Sequence, residues 1–460
     1  MSGKENDDDF DWLYDATKQP QPPHEASEEP VGDAPLPVGD WQPAPRRRWL
    51  RAMAVVAGLA ILSGGGKLGY DYVTTDNHVA HTPSESTSPT VPLPSSSHPA
   101  SPAPSPTTSP AIKPSATPRT QAECIADLPL AFKLGQKIMI GATADTLSDA
   151  GTVAARYHIG GIILMDQAPA SAVQALQRKQ LVPMLVATDQ EGGTVQRYKN
   201  EGLLPVAADV PGALTPAQYQ TRIAADDAYL RRQGITMNFA PVADVAPLSG
   251  TSVLGSRIFS SDPAVVTNYV RADVRAGLAN GVLPTLKHFP GLGSASRNTD
   301  YGPATTPSFS QLQIRDLVPY QRLVSESVAV MVGNQTVPGL TNGLPASLSY
   351  AAITGELRGT LGYRNNVVIT DSLSAKAITD SDSITTASVK SWEAGSDIAL
   401  FVTPMPGETL AQQIDHIITL GKQAVQAGQL SKSAVDASVG RLFALPQKQT
   451  DACRLDSELQ

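Results

Sequence analysis

The chain has 460 residues, 41% of them hydrophobic and 5% aromatic, with 38 Pro and 2 Cys. That length carries one large domain with appendages, or two modest domains, and excludes a small stapled scaffold. The formal charge of -8 belongs to the first 45 residues, where eleven acids face only Lys4 and Lys18; the remainder is nearly neutral and offers no electrostatic footprint for nucleic acid.

Residues 1–48 read as an acidic, Pro-rich cytoplasmic tail that buries too little to fold alone. Within it, Phe10, Trp12 and Tyr14 stand among carboxylates, either as a docking motif for a cytoplasmic partner over residues 10–15 or as aromatics of no specific consequence. Arg46, Arg47, Arg48 and Arg51 then introduce an apolar, small-residue run, and 49–70 approaches the roughly 20 residues needed to span a bilayer. The expectation is a single-pass signal anchor in the cell membrane. A cleaved secretory signal would have a far shorter cationic region before its apolar core. Because the cations precede the span, the positive-inside rule places the chain beyond residue 70 outside the cell. Residues 71–120, rich in Pro, Ser and Thr, read as an extended linker, since restricted φ angles and the lack of an apolar face prevent collapse. The globular domain is expected over 121–460.

The two cysteines, Cys124 and Cys453, bracket that domain almost end to end. In an oxidising exterior they would close it as a disulfide; the alternative is a pair of idle thiols. Neither has His or Cys at ligand spacing, so no metal site and no cofactor are expected.

Between them, short apolar runs alternate with stretches of helical periodicity. Strands are expected at 138–141, 161–165, 183–189, 237–245, 283–290, 328–334, 366–371 and 398–403, with covering helices such as 171–180, 216–233, 263–280 and 309–327. Eight strands of this kind suggest an α/β fold of the (β/α)8 TIM-barrel type. An open doubly wound sheet is the competing arrangement, but no Gly-rich phosphate loop follows an early strand. Asp189, Asp244, Lys287 with His288, Asn334 and Asp371 fall at or near the C-terminal ends of different expected strands. Those ends converge on one mouth in a barrel. Unpaired buried charge is unfavourable, so converging ionisable groups argue for a polar substrate pocket.

Several of these segments carry a resemblance. Asp189-Gln190-Glu191-Gly192-Gly193 with Val195-Gln196-Arg197, Asn238-Phe239-Ala240-Pro241-Val242 with Asp244-Val245, Gly255-Ser256-Arg257-Ile258-Phe259-Ser260, Lys287-His288-Phe289-Pro290-Gly291, Val368-Ile369-Thr370-Asp371-Ser372 and Ala394-Gly395-Ser396-Asp397 occur in the order found in glycoside hydrolase family 3. The match spans roughly 130–445 and is most similar to the single-domain bacterial β-N-acetylglucosaminidases. The resemblance implies a retaining mechanism in which Asp371 attacks the anomeric carbon, while Asp189, Arg197, Arg257, Lys287 and His288 hold the sugar.

One segment departs from the family. Where the acetylglucosaminidases carry a histidine acid/base oriented by an aspartate, this chain has Asp300 and Asn298, in a loop beginning Gly291-Leu292-Gly293-Ser294. Asp300 is then the expected proton donor, its pKa raised by burial and by Asp371, on a loop whose glycines and serines would let it swing. The acid could instead come from another residue, or the barrel could bind wall glycans as a scaffold without cleaving them. The expected substrate is a β-linked sugar, with a cell-wall glycan favoured by the anchor and linker.

Overall fold

The computed structural model describes residues 119–199, 204–247 and 252–459. The expected docking motif, membrane span and most of the linker lie outside them. Among the described residues no helix is long and apolar enough to cross a membrane.

Eight parallel strands form one sheet: β1 (Ile138–Ala142), β2 (Gly161–Leu164), β3 (Leu185–Thr188), β4 (Met237–Asn238), β5 (Leu283–Phe289), β6 (Ala329–Val332), β7 (Val368–Thr370) and β8 (Ala399–Phe401). Neighbours in sequence are neighbours in space, β8 pairs back onto β1, and the bridge between Ile369 and Ile398 closes the ring. This is the (β/α)8 barrel expected from the strand count. Alternate residues of each strand divide between two cores, as the two-residue strand period requires. Met139, Ile163, Leu185, Met237, Met331 and Leu400 fill the barrel interior, while Ile138, Ile140, Ile162, Leu164 and Val186 pack outward onto the helices.

The helices carry their own start and stop signals. Helix Pro216–Gln233 follows a Thr215 capping box closed by Gln218, has Pro at its first position, and stops at Gly234. Two expectations are corrected by proline. The expected strand over 237–245 survives as a strand only at Met237–Asn238, because Pro241 has no N–H to give a ladder. Beyond it the chain runs on through single contacts with β5, including Thr285 N–H to the Ala240 carbonyl at 2.8 Å and Ala243 N–H to the Lys287 carbonyl at 2.6 Å. The single helix expected over 309–327 is two, Phe309–Ile314 and Val318–Leu323. Pro319 would clash with the carbonyl four residues back, so the helix restarts just before it.

The N-terminal end of the barrel is plugged. Cys124, Ile125, Leu128 and Phe132, from the helices Gln121–Asp127 and Leu130–Gln136 and the turn between them, join Leu442, Phe443, Ala452 and Leu455 in the same cluster as the barrel interior. Cys124 and Cys453 are joined by a disulfide there, closing a sequence separation of 329. Arg119 reinforces the closure with an ion pair to Asp456 at 2.8 Å.

Candidate active site

The strand ends place a cavity of about 380 Å³ at the C-terminal mouth, lined among others by Asp189, Arg197, Arg257, Lys287, His288, Asp300 and Asp371. All seven residues singled out as catalytic or sugar-holding therefore face one space. Its floor is the top layer of the barrel interior, including Phe239, Met331 and Leu400. An apolar floor beneath a ring of polar groups is the common build of a small-molecule site.

One wall is an ion network. After β3 the chain turns into a hairpin pairing Gln190–Gly192 with Val195–Gln196. Gly192 and Gly193, at φ of 98° and 56°, make the tight reversal that side chains with a Cβ rarely adopt. The alternation of extended residues sends Asp189 and Glu191 into the cavity, while Gln190 turns away to bind Asp226 and the Tyr198 backbone. Lys287 meets Asp189 at 2.9 Å and Glu191 at 2.5 Å. Arg257 grips Glu191 through Nε and Nη2, both at 2.8 Å, and Arg197 reaches Asp189 at 3.7 Å. Burial works against the charged form of Glu191, yet Arg257 and Lys287 hold its carboxyl well below the usual range. Asp189 is lowered in the same way, burial being outweighed by Lys287 and Arg197. Lys287 is buried as well, and its two carboxylate partners raise its pKa against that burial.

Glu191 is the residue that sequence reasoning missed. It was visible only as part of a motif, but its spacing of two from Asp189 was a usable signal, since that spacing puts both carboxylates on one face.

The opposite wall carries the two carboxylates expected to do chemistry. Asp371 follows β7 directly; its N–H extends the ladder to the Val332 carbonyl at 2.8 Å, and its Oδ1 accepts the Ser372 N–H at 2.7 Å. Asp300 sits in the single turn Thr299–Tyr301, capped by Asn298, whose Oδ1 accepts the Asp300 N–H at 3.0 Å. Burial, and then the charge of Asp371, push the Asp300 carboxyl up to about 6, against smaller opposing effects of Arg257, Asn298 and His288.

The loop bearing Asp300 is anchored at both of its ends. Leu292 and Ala295 are buried, Ser296 and Thr305 exchange hydrogen bonds, and Thr305 bridges to Thr336. Asn334 does not reach the cavity. It turns beneath Asp371, donating to the Ser372 carbonyl at 2.8 Å and accepting from the Ser347 hydroxyl at 2.6 Å. The strand-end position was legible, but the side to which the side chain turns was not. Among the described residues no group of three or more His, Cys, Asp or Glu is arranged to hold a metal ion.

A family model for the glycosyl hydrolase family 3 N-terminal domain matches residues 130–445. The chain belongs to glycosyl hydrolase family 3. It is 37% identical over 323 residues to beta-hexosaminidase LpqI of Mycobacterium tuberculosis (strain ATCC 25618 / H37Rv), covering 67% of this chain and 81% of the relative. Among solved structures, the family 3 barrel superposes on a glycosyl hydrolase of Mycobacterium smegmatis str. MC2 155 with a TM-score of 0.65 at 35% identity, covering 71% of this chain and 99% of that one. A family 3 beta-N-acetylglucosaminidase from Paenibacillus sp. str. FPU-7 gives 0.64 at 30% identity, covering 72% and 68%. This family 3 chain is accordingly a glycoside hydrolase.

Proposed function

We propose that the family 3 barrel is a retaining β-N-acetylglucosaminidase-type hydrolase in which Asp371 is the nucleophile and Asp300 the acid/base. The observation that carries this reading is the pair itself: two carboxyl groups share one cavity, and one is raised to about 6 partly by the other's charge. Like-charge proximity of this kind assigns the acid and the nucleophile between two otherwise equivalent groups.

In the first step an Asp371 oxygen attacks the anomeric carbon as the glycosidic C–O bond breaks, and protonated Asp300 gives its proton to the departing oxygen. The product is a glycosyl ester of Asp371. Esterification removes the Asp371 charge, the second cause after burial of the raised Asp300 pKa, so its carboxyl falls part of the way back and is left ionised by the proton transfer. In the second step Asp300 takes a proton from water, whose oxygen attacks the anomeric carbon and releases Asp371. Asp189, Arg197, Arg257, Lys287 and His288 hold the sugar hydroxyls. Asp189 and Glu191 offset two of the three charges of Lys287, Arg197 and Arg257, and the Asp371 carboxylate in the same cavity offsets the third, which suits an uncharged sugar in this position.

Names of similar proteins support a β-linked N-acetylhexosamine as the substrate. The anchor and linker expected from the sequence support a cell-wall glycan, acted on from the outer face of the cell membrane. The test is intact-mass measurement of the full-length chain after incubation with 2-fluoro glycosides. A covalent adduct that disappears in Asp371→Asn is expected. Absence of any adduct across several sugars, with binding retained, would make the barrel a glycan-binding scaffold instead.

A further inference from the structure

Asp244 is the most heavily engaged carboxylate beside the cavity, yet it lines no part of it. It is 1% exposed, and among the described residues its hydrogen bonds go to two neighbouring stretches of chain. Oδ2 accepts from the His288 backbone N–H at 3.1 Å and lies 2.8 Å from the His288 Nδ1. Oδ1 accepts from the Leu292 N–H at 2.5 Å and the Gly293 N–H at 3.3 Å. Three of these partners are backbone N–H groups, which only donate, so the carboxylate acts purely as an acceptor. Its bond to His288 then requires the proton on Nδ1, which leaves Nε2 as the ring nitrogen that can meet a ligand in the cavity.

The other two bonds fall at the stem of the Asp300 loop. That stem is confined on several sides. Gly291 has a φ of 136°, and a Cβ there would fall 2.7 Å from atoms of the buried Asp316; a Cβ on Gly293 would fall 3.0 Å from Ala246 and Ile258. Only glycine fits the stem at these two positions without displacing a neighbour, and Asp244 supplies hydrogen bonds that hold the stem there.

We infer that Asp244 is a positioning residue that sets two functional groups at once, fixing the His288 tautomer for sugar binding and the root of the loop that carries Asp300. The inference rests on the hydrolase reading above for its consequence in turnover, but not for its consequence in the ring. Asp244→Asn removes the charge and turns an amide donor toward groups that are themselves donors. His288 then loses its tautomer constraint, and the loop stem loses part of its hold.

The test uses the full-length chain with 15N-labelled histidine, the His288 signals being assigned by their loss in His288→Gln. Long-range 1H–15N correlation is expected to show His288 protonated at Nδ1, with added N-acetylglucosamine shifting the Nε2 resonance. In folded Asp244→Asn both features are expected to vanish, KM for an aryl glycoside to rise at least tenfold, and kcat to fall most for poor leaving groups, which depend on Asp300. A wild-type ring carrying its proton at Nε2 alone would overturn the inference even if the variant failed to fold. So would a folded variant with KM and kcat within twofold of wild type. A wild type that turns over no glycoside would defeat the hydrolase reading, and the tautomer measurement would still decide the role of Asp244.

Discussion

Replacing Asp300 with Asn is expected to make the protein more stable and less active at once, and the stability gain should depend on pH. The carboxyl is raised from 3.8 to about 6 by burial and by Asp371, which corresponds to about 3 kcal/mol of penalty on the ionised form. A carboxyl raised in the folded state contributes stability that is fully present below 3.8 and is lost as pH rises through about 6. At pH 7.5 the wild type therefore carries the whole penalty, while at pH 4.2 linkage leaves it under about 1 kcal/mol. The figure is an upper one, because Asp300 is partly open to the cavity. At roughly 2 °C per kcal/mol for a domain of this size, Asp300→Asn should melt up to about 6 °C above wild type at pH 7.5 and nearly level with it at pH 4.2 in scanning calorimetry. The same variant should lose on the order of 10² to 10⁴ in kcat for glycosides with poor leaving groups. It should lose less for nitrophenyl leaving groups and regain rate with azide. An equal melting difference at both pH values, or undiminished turnover of a poor leaving group, would refute the assignment.

Other consequences are separable from this one. Glu191→Gln leaves Lys287 and Arg257 buried with less neutralising charge, so a loss of about 3–5 kcal/mol is expected in chemical denaturation together with weakened sugar binding. Lys448 is fully buried, donates to the carbonyls of Gly160 and Pro183, and is lowered by burial to about 7. The unfolded chain then binds more protons between about 7 and 10.5, so stability should rise with pH across that window, and Lys448→Met should flatten the rise in pH-dependent melting. Lys137, lowered to about 7 in the same way, keeps part of the slope. Cys453→Ser opens a closure of 329 residues. Chain entropy gives that crosslink a stabilisation of about 6 kcal/mol, so the melting temperature should fall while kcat at 25 °C stays unchanged, the bond lying opposite the mouth. Finally, ionised Asp300 in the glycosyl ester repels an anionic acceptor, so 100 mM phosphate should yield free sugar and no sugar phosphate by chromatography.

The barrel was legible because buried parallel strands are apolar on both faces, so each stood out as a short run ending in charge. Where Pro241 and Pro319 interrupt the pattern, the side-chain periodicity continued but the backbone hydrogen bonding did not, and both elements came out shorter than expected. The site was legible to the level of which strand ends carry polar groups. It was not legible which of those groups turn inward. Asn334 and Asp371 end adjacent strands, yet the first faces the Ser372 backbone and the second the cavity. Nor does composition show that Lys133, Lys137 and Lys448 are buried near the plugged end, since a lone lysine in or beside a helix ordinarily reads as solvated surface.

The two ends of the barrel hold similar charges to different effect. Near the plugged end, Asp397 has every oxygen committed: Oδ1 to Arg441 at 2.7 and 3.0 Å, Oδ2 to Arg358 at 2.7 Å and to the Val368 N–H at 2.9 Å. Burial is outweighed by those arginines, and the carboxyl is held far below its usual range. Such a group can neither accept nor deliver a proton near neutral pH, so its role is to fasten β7 to the helices. At the mouth, Asp371 has one oxygen held by Ser372, and Asp300 lies under a carboxylate's field rather than a cation's grip. Hydrogen-bonding capacity left unspent by the fold is what a substrate can use. The contrast between fully buried Asp397 and half-buried Asp300, acids beside the same sheet, therefore separates structure from chemistry more sharply than the presence of charge does.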